Sequence, residues 1–162
     1  MNTEIEGIVV GSLDLGESDR LIRLLTADEG RSVVVARGSR SSRRRFAGML
    51  ELGVRIAIVR SRSRGGLPVL VEADWLSGPE RARDDLDRLG FVAYGCELCG
   101  ALAPEGDAAP KLYGLLATWL LVLEGDVTPG DAARVALEGK ALTFAGLAPA
   151  LVRCARCDEP LH

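Results

Sequence analysis

The amino-acid sequence predicts an α+β protein, in which a small barrel of antiparallel β-strands is followed by an α-helical domain and a short tail. Two patterns support this prediction. Up to residue 77 the chain has short runs rich in valine, isoleucine and leucine separated by turn signals, and beyond Ser77 to Glu80 its apolar residues recur at helical spacing. The 162 residues are 48% hydrophobic and 27% charged, which is typical of a chain that folds. We expect a barrel at 1–77, a helical domain at 78–150 and a tail at 151–162.

The first three predicted strands form an antiparallel meander. Ile5 to Val10 and Leu21 to Leu25 have the apolar character of buried strands. The turn at Asp28 to Gly30 then leads the chain directly into a third strand at Val33 to Val35. Consecutive strands joined by so short a turn pair with each other in opposite directions.

Two more strands are predicted after the loop that ends at Gly48. Apolar and other residues alternate strictly from Leu52 to Val59, which indicates one face inward and one outward. Gly65 and Gly66 then turn the chain into a fifth strand at Leu67 to Trp75. Five short strands favour closure into a barrel, because closure removes the unpaired edges of an open sheet. An oligonucleotide-binding (OB) barrel is the candidate fold.

Three helices are predicted beyond the barrel. Pro79 suits the first helical position, and the first helix has an apolar stripe interrupted by glycines that each cost about 1 kcal/mol relative to alanine. The stripe consists of Leu89, Val92, Cys96, Cys99 and Ala103, and the glycines are Gly90, Gly95 and Gly100. A second helix, apolar nearly all round, is predicted from Pro110 to Glu124, and a third from Pro129 to Ala145 with Gly146 as its stop.

Positive charge is concentrated in one segment of the chain. Ten arginines between Arg31 and Arg64 face a single acid, Glu51, so the segment has a net charge of +9 in a chain of net charge −3. This asymmetry favours an anion-binding face, and with no enzyme motif nearby the leading anion is a nucleic-acid backbone. The alternative is a solvated charged face. The predicted DNA-binding residues are Arg37, Arg40, Arg43, Arg44, Arg45, Arg60, Arg62 and Arg64.

Aromatic residues that stack on bases are scarce in the predicted barrel. Phe46 is compatible with core packing or with base stacking, and we expect Trp75 to be buried. DNA binding should therefore be mostly electrostatic and of low sequence specificity. We expect Arg20 to pair with Glu17 or Asp19 in its turn rather than to contact DNA.

The four cysteines form two CxxC pairs. Cys154 and Cys157 lie on a predicted loop with His162 as a third candidate ligand, one short of the four that a structural zinc site needs. Cys96 and Cys99 share a helix face and would complete a four-thiolate site, but they lie on the apolar stripe, where cysteine packs as a small hydrophobe. We expect no certain cofactor, with zinc a candidate whose ligand set is incomplete.

Signals for catalysis and for membrane insertion are weak. His162 is the sole histidine, and no glycine-rich phosphate-binding motif is present. Asp84, Asp85 and Asp87 suit the start of a helix better than a Mg²⁺ site. The acidic N-terminus is unlike a secretory signal, and the apolar stretch Leu115 to Leu123 is too short to span a bilayer. We predict a cytoplasmic, nucleoid-associated protein that is not an enzyme.

The order of these features resembles the RecO family of bacterial recombination mediators. The resemblance covers most of residues 5–158 and continues from the predicted barrel into the helical half. Its pieces are Gly7 to Val10, Gly16 to Arg20, Gly30, Val35 to Arg40, Arg45 to Gly48, Leu50 with Glu51, Glu138 to Leu142, Gly146 to Pro149, and Cys154 with Cys157.

The resemblance implies a protein that binds and anneals single-stranded DNA and assists recombinase loading. It implies an OB-fold domain, a helical domain, and as partners single- and double-stranded DNA, the acidic-hydrophobic tail of single-stranded DNA-binding protein, and RecR. Arg134 and Lys140 are the nearest cations on the third helix for such a tail. The family's zinc site uses two CxxC pairs in its C-terminal region, of which this sequence holds Cys154 and Cys157. The alternative is a shortened relative that acts as a protein-interaction adaptor without DNA activity.

Overall fold

The computed structural model describes residues 2–41, 46–61 and 66–160, and within them the chain forms a five-stranded barrel followed by three α-helices. The predicted α+β class and the barrel are confirmed. The strands are β1 (Asn2–Leu15), β2 (Asp19–Thr26), β3 (Gly30–Ala36), β4 (Arg55–Ser61) and β5 (Val69–Ser77). A 3₁₀ turn (Arg81–Asp84) precedes helices α1 (Leu86–Leu102), α2 (Pro110–Leu123) and α3 (Asp131–Phe144).

The barrel closes in the strand order β1-β2-β3-β5-β4. Four neighbouring pairs are antiparallel, but β3 and β5 are parallel and meet at Val35 and Val69. The backbone N–H of Val35 also donates to the carbonyl of Pro68 at 2.8 Å. The expectation that all strands are antiparallel is therefore wrong at this pair. Because directions cannot alternate around a ring of five strands, one neighbouring pair must be parallel.

The fourth strand begins later than the sequence predicts. The alternating pattern starts at Leu52, whereas β4 starts at Arg55. Gly53 has a left-handed φ of 79°, and its N–H donates to the carbonyl of Val9 at 2.8 Å. This turn places residues 52–54 beside β1, and the regular pairing of β4 with β1 starts after them, at Arg55.

The molecule has two hydrophobic cores, one inside the barrel and one between the barrel and the helices. The barrel interior is filled by Val9, Ile22, Leu24, Val34, Ile56, Ile58 and Leu70, among others. Ile8, Val10 and Leu25 face outward and pack against the helices, in a cluster with Val92, Cys96, Cys99, Leu116 and Leu123. The register of β1 against β2 shifts between Val9 and Gly11, next to the outward-facing Val10. The helical half therefore covers part of the barrel's outer surface.

The first helix starts at Leu86 and not at Pro79. The Asp85 carboxylate accepts hydrogen bonds from the backbone N–H groups of Asp87 at 3.0 Å and Arg88 at 3.1 Å, which is the geometry of a helix N-cap. This confirms the structural interpretation of the acidic cluster for Asp85. The start of α3 is also later than predicted, at Asp131 instead of Pro129.

Helix α1 continues through its three glycines. At Gly95 a Cβ would lie 2.5 Å from the indole of Trp119, and at Gly100 it would lie 3.2 Å from Val10. Both glycines therefore permit close approach, of α2 and of β1 respectively. Leu89, predicted to be part of the buried stripe, is instead exposed.

Arg88 joins the start of α1 to the end of α2. Its guanidinium is buried, pairs with the Asp85 carboxylate at 3.0 Å, and donates to the backbone carbonyls of Leu123 and, at 2.9 Å, Gly125. A cation at a helix C-terminus satisfies carbonyls that have no partner within the helix.

The hairpin turn between β2 and β3 is fixed against the segment between α1 and α2. Arg31 N–H donates to the Pro104 carbonyl at 2.7 Å, and Ala109 N–H donates to the Ala27 carbonyl at 2.8 Å. Gly30, at a φ of 60°, allows this approach. None of the helices in residues 2–41, 46–61 and 66–160 is long and apolar enough to cross a membrane.

Candidate nucleic-acid interface

Three arginines lie on the outer face of β1, β2 and β3, which we call the basic wall. Arg23 on β2 lies between Gly11 of β1 and Val33 of β3. Arg31 and Arg37 share the outward face of β3 and its extension, because side chains alternate along a strand. The outer face of strands 2 and 3 is where OB folds bind oligonucleotides.

A groove of about 690 Å³ lies at one end of the basic wall, and we call it the rim groove. It is lined by Leu15, Asp19, Val35, Arg37, Ser61, Gly66, Leu67 and Val69. The closing pair of Val35 and Val69 brings these residues together from both sides of the barrel. Arg37 begins one arginine-rich segment, and Ser61 and Gly66 flank the other. Arg43, Arg44, Arg45, Arg62 and Arg64 lie outside the described residues, so their place in this groove stays a prediction.

Among the predicted DNA-binding residues that the structure describes, Arg37 is the one left available. Its side chain is exposed, lines the rim groove, and makes no ion pair within the part of the chain that the structure describes. Arg40 instead contacts the end of β1 and the turn that follows it. Its guanidinium donates to the Gly16 carbonyl at 2.7 Å and lies 3.5 Å from the Asp14 carboxylate.

Arg60, predicted to bind DNA from the turn between the fourth and fifth strands, differs from that prediction in both position and role. It belongs to β4, not to the turn after it. Its side chain is only 15% exposed, pairs with Glu29, and donates to the hydroxyl of Ser32 at 3.0 Å. Arg60 therefore joins β4 to β3 and the β2–β3 turn, and a phosphate would have to displace both partners to reach it.

The loop after β3 is held against the turn between β1 and β2. The Asp19 carboxylate accepts the N–H of Gly38 at 2.8 Å and the hydroxyl of Ser18 at 2.9 Å. These bonds, with the N–H of Gly38 the larger cause, lower the pKa of Asp19. Arg20 pairs with Asp14 at 3.6 Å and Glu51 at 3.8 Å, and not with the predicted Glu17 or Asp19.

The two aromatic residues of the barrel lie away from the basic wall. Phe46 is 6% exposed and packs in the barrel interior. Trp75 is 37% exposed, so the prediction that it is buried is wrong. Its indole packs against Gly78, which has no side chain that could cover the ring. It lies at the end of β5 that is far from Val69. Neither aromatic residue lines the rim groove.

Sequence reasoning missed Arg23 and passed over Arg31 as a site residue. Arg23 lies on β2 outside the arginine-rich segment, where it alternates with the inward-facing Ile22 and Leu24. That alternation is the signal that identifies it as an outward-facing cation. Its proximity to Arg31 depends on the pairing of β2 with β3, which puts Leu25 opposite Arg31.

The outer face of β1, β4 and β5 is acidic, and we call it the acidic wall. The register aligns Glu4, Val59 and Glu72 in one row, and Glu6, Ala57 and Asp74 in the next. All four carboxylates belong to exposed residues. Arg55 pairs with Glu6 at 2.6 Å, and within residues 2–41, 46–61 and 66–160 it is the one cation that pairs with any of these four acids. This wall repels a phosphate backbone.

The CxxC pair in the tail lies on a tight turn. Asp158 N–H donates to the Cys154 carbonyl at 2.9 Å, and Cys154 N–H donates to the Glu159 carbonyl at 2.8 Å. The backbone N–H groups of Arg156 and Cys157 lower the pKa of the Cys154 thiol, because they stabilise its thiolate. The Cys157 side chain also hydrogen-bonds to the Cys154 sulfur, so this turn brings the two cysteines together.

The described residues do not assemble a complete zinc site. No group of three or more histidine, cysteine or acidic side chains able to hold a metal occurs among them. Cys96 and Cys99 are buried in the core, where burial raises the pKa of each to about 12. Within the described residues, Cys96 and Cys99 are thus not brought together with Cys154 and Cys157 in one ligand group. His162 lies outside the described residues.

Comparison with known proteins places both halves of the chain in one family. Residues 1–79 match the family model for the N-terminal part of recombination protein O, and residues 83–162 match the model for its C-terminal part. The chain is 37% identical to DNA repair protein RecO of Pelobacter propionicus over 157 residues, which are 97% of this chain and 63% of that protein. It is 40% identical over 159 residues to the protein of the same name from Anaeromyxobacter dehalogenans, covering 98% of this chain and 62% of the relative. The chain spans less than two thirds of the length of these relatives. The two family models and the identities together show that this chain belongs to the RecO family.

Proposed function

We propose that this protein acts in DNA repair by binding single-stranded DNA at the rim groove of its barrel, annealing complementary strands and assisting recombinase loading. The observation that supports this most directly is the charge asymmetry of the barrel. Arg23, Arg31 and Arg37 lie on one wall, and carboxylates dominate the other. The names of the relatives, which are DNA repair proteins, agree with this role.

Binding on this surface is electrostatic. Arginines that neutralise phosphates release condensed counterions, so affinity falls steeply with salt. No aromatic side chain is among the described residues that line the rim groove, and the sequence of the bases therefore has little influence on affinity. Annealing follows from the same chemistry, because two strands with partly neutralised phosphates repel each other less and can pair.

Substituting the arginine cluster tests this function. The triple variant Arg43→Ala, Arg44→Ala, Arg45→Ala should bind single-stranded DNA more weakly, with a log-log salt slope reduced by up to about 2, at about 0.7 per lost phosphate contact. The matched control replaces three arginines of the helical half and tail, Arg83, Arg153 and Arg156, with alanine. If affinity and slope in the cluster variant equal those of the control, DNA binds elsewhere and the adaptor alternative gains.

A groove between α2 and α3 supports a second, partner-binding function. It has a volume of about 170 Å³, and Leu115, Trp119, Val122, Leu137 and Lys140 are among its lining residues. Val122 is 46% exposed. Arg134 is engaged by Glu138 at 2.8 Å and Asp131 at 3.5 Å, so Lys140 is the cation left for a ligand. We propose that this groove takes an acidic-hydrophobic peptide such as the tail of single-stranded DNA-binding protein, and that RecR is a further partner.

Peptide titration of the whole chain tests the groove. An acidic-hydrophobic peptide should bind at low salt, and Lys140→Glu should weaken it at least tenfold without changing the melting temperature. Lys111→Glu serves as a control cation on a neighbouring helix. Equal binding by the wild type and the Lys140→Glu variant would exclude this groove as the peptide site.

A further inference from the structure

A second opening on the basic wall lies between the strands and helix α1, and we call it the wall cleft. Its volume of about 600 Å³ is within the range of ligand-binding pockets. Arg23 and Arg31 line it from the barrel side, and Glu97, Gly100 and Ala101 line it from α1. Small residues on the helix leave room beside the two guanidinium groups.

Arg23 is positioned in the cleft without an internal partner. It is exposed, and no ion pair to it occurs within residues 2–41, 46–61 and 66–160. Its guanidinium lies against the β1 backbone at Gly11, where a Cβ would come within 2.7 Å of Nη2. The absence of a side chain at Gly11 therefore gives Arg23 its place.

Arg31 is only weakly engaged. Its guanidinium lies 3.4 Å from the carboxylate of Glu105, whose side chain is 72% exposed. Exposed ion pairs of this kind contribute little to stability, so a phosphate can compete with Glu105 for Arg31.

The wall cleft and the rim groove lie on the same wall. Arg31 and Arg37 are six residues apart on one face of β3, which corresponds to about 20 Å along a strand. Two rows lie between them: one holds Gly11, Arg23 and Val33, and the other holds Leu13, Leu21 and Val35. Arg23 and Arg37 therefore flank the apolar row, in which Leu13 is 64% exposed. An apolar step with a cation at each end suits a single strand, whose bases pack on the step while its phosphates reach the arginines.

We propose that the wall cleft is a second subsite for the same single strand of DNA, with Arg23 and Arg31 binding phosphates beyond those held at the rim groove. The proposal rests on the proposed DNA-binding function and extends its path under α1. At the 3.4 Å spacing of a stacked strand, about 20 Å corresponds to about six nucleotides. The carboxylate of Glu97 places a negative charge in the cleft, and its repulsion of phosphates limits how tightly the strand is held there.

Titration of the full chain with a sixteen-nucleotide oligothymidine tests the subsite. The double variant Arg23→Ala, Arg31→Ala should lose about tenfold in affinity at low salt, with a salt slope lower by about 1.4, or 0.7 for each lost contact. The matched control is Arg83→Ala, Arg156→Ala, which removes two exposed arginines from outside the barrel. Thermal unfolding of each variant verifies that the fold is retained.

Two further variants separate a shaped cleft from charge acting at a distance. Ala101→Phe fills the cleft without changing charge and should also weaken binding several-fold, whereas Glu97→Gln should strengthen it about two- to threefold. If Ala101→Phe binds like the wild type while the double arginine variant is weak, the arginines act from a distance and the subsite is excluded.

The outcomes distinguish this proposal from the proposed function. If the double arginine variant matches its control while the Arg43, Arg44 and Arg45 variant is weak, the wall cleft is not a subsite and DNA binding at the rim stands. If both variants match their controls, the DNA-binding function itself is contradicted.

Discussion

The basic and acidic walls of the barrel differ in charge and also in how each is joined to the helices. Backbone hydrogen bonds from Arg31 to Pro104 and from Ala109 to Ala27 join the β2–β3 hairpin of the basic wall to the segment after α1. The acidic wall is joined to α2 by side chains, since the Glu6 carboxylate pairs with Arg55 and accepts a hydrogen bond from the hydroxyl of Tyr113.

This difference indicates that the wall proposed to bind DNA is oriented by contacts that do not titrate. Backbone hydrogen bonds and steric fit are insensitive to pH, and salt screens them little. An ion pair on the surface depends on both. The orientation of α1 over Arg23 and Arg31 should therefore persist under the low-salt and high-salt conditions that change DNA affinity.

The largest expected effect is at the backbone junction of the basic wall. In Gly30→Ala the new Cβ would lie 2.5 Å from the Asp107 carbonyl oxygen, and the residue would hold a φ of 60°. We expect the free energy of unfolding to fall by about 3 kcal/mol or more, because strain and a backbone clash act together. Gly16→Ala is the control, with a φ of 64° and no heavy atom within 4 Å, and should cost only about 1 kcal/mol. Equal losses in urea unfolding would contradict a tight junction.

The side-chain junction of the acidic wall should give a smaller, pH-dependent effect. Hydrogen bonds from Arg55 and then Tyr113 lower the pKa of Glu6 below its usual value. A lowered pKa stabilises the fold above the unfolded-state pKa of about 4.3, and this contribution is lost as pH falls through the folded-state value. Exposed ion pairs contribute about 0.5 kcal/mol, so the wild type should lose that much relative to Glu6→Gln between pH 6 and pH 3. Parallel stability curves for the two proteins over that range would show that the network contributes nothing.

The smallest expected effect is that of the acidic wall on DNA affinity. Glu72→Gln with Asp74→Asn removes two negative charges from the wall opposite the proposed path. At 0.15 M salt the Debye length is about 8 Å, so affinity should change less than twofold. At 0.01 M salt the length is about 30 Å and the variant should bind measurably tighter. A tenfold gain at 0.15 M salt would mean that DNA passes close to Glu72 and Asp74, against the assignment of the walls.

The sequence predicted the elements of this fold better than their junctions. Strands are identified by the alternation from Ile56 to Val59 and by the apolar runs around Val9 and Leu24. These patterns are local, because whether a side chain faces inward depends on its position within its own strand. The start of α1 was misplaced because Pro79 and Asp85 are both helix-start signals, and only the packing of the 3₁₀ turn selects the second.

The candidate site was predicted in part for a related reason. The charge of the arginine-rich segment is visible in the sequence, but whether each arginine is available depends on partners from distant strands. Arg60 is occupied by Glu29, and Arg23 reaches the same cleft as Arg31 through strand pairing. Neither fact follows from local sequence, since the partners lie on different elements.

The parallel contact of Val35 with Val69 has a consequence for how the rim groove forms. The two residues are 34 positions apart, whereas the β2–β3 hairpin joins strands separated by a short turn. Contacts that close long loops form late, because loop-closure entropy must be overcome first. Until that contact forms, the arginine segments on either side of it are not held together. In a chain whose barrel is not yet closed, the two arginine-rich segments would therefore lie apart, and the proposed DNA-binding rim would be assembled only when β3 and β5 meet.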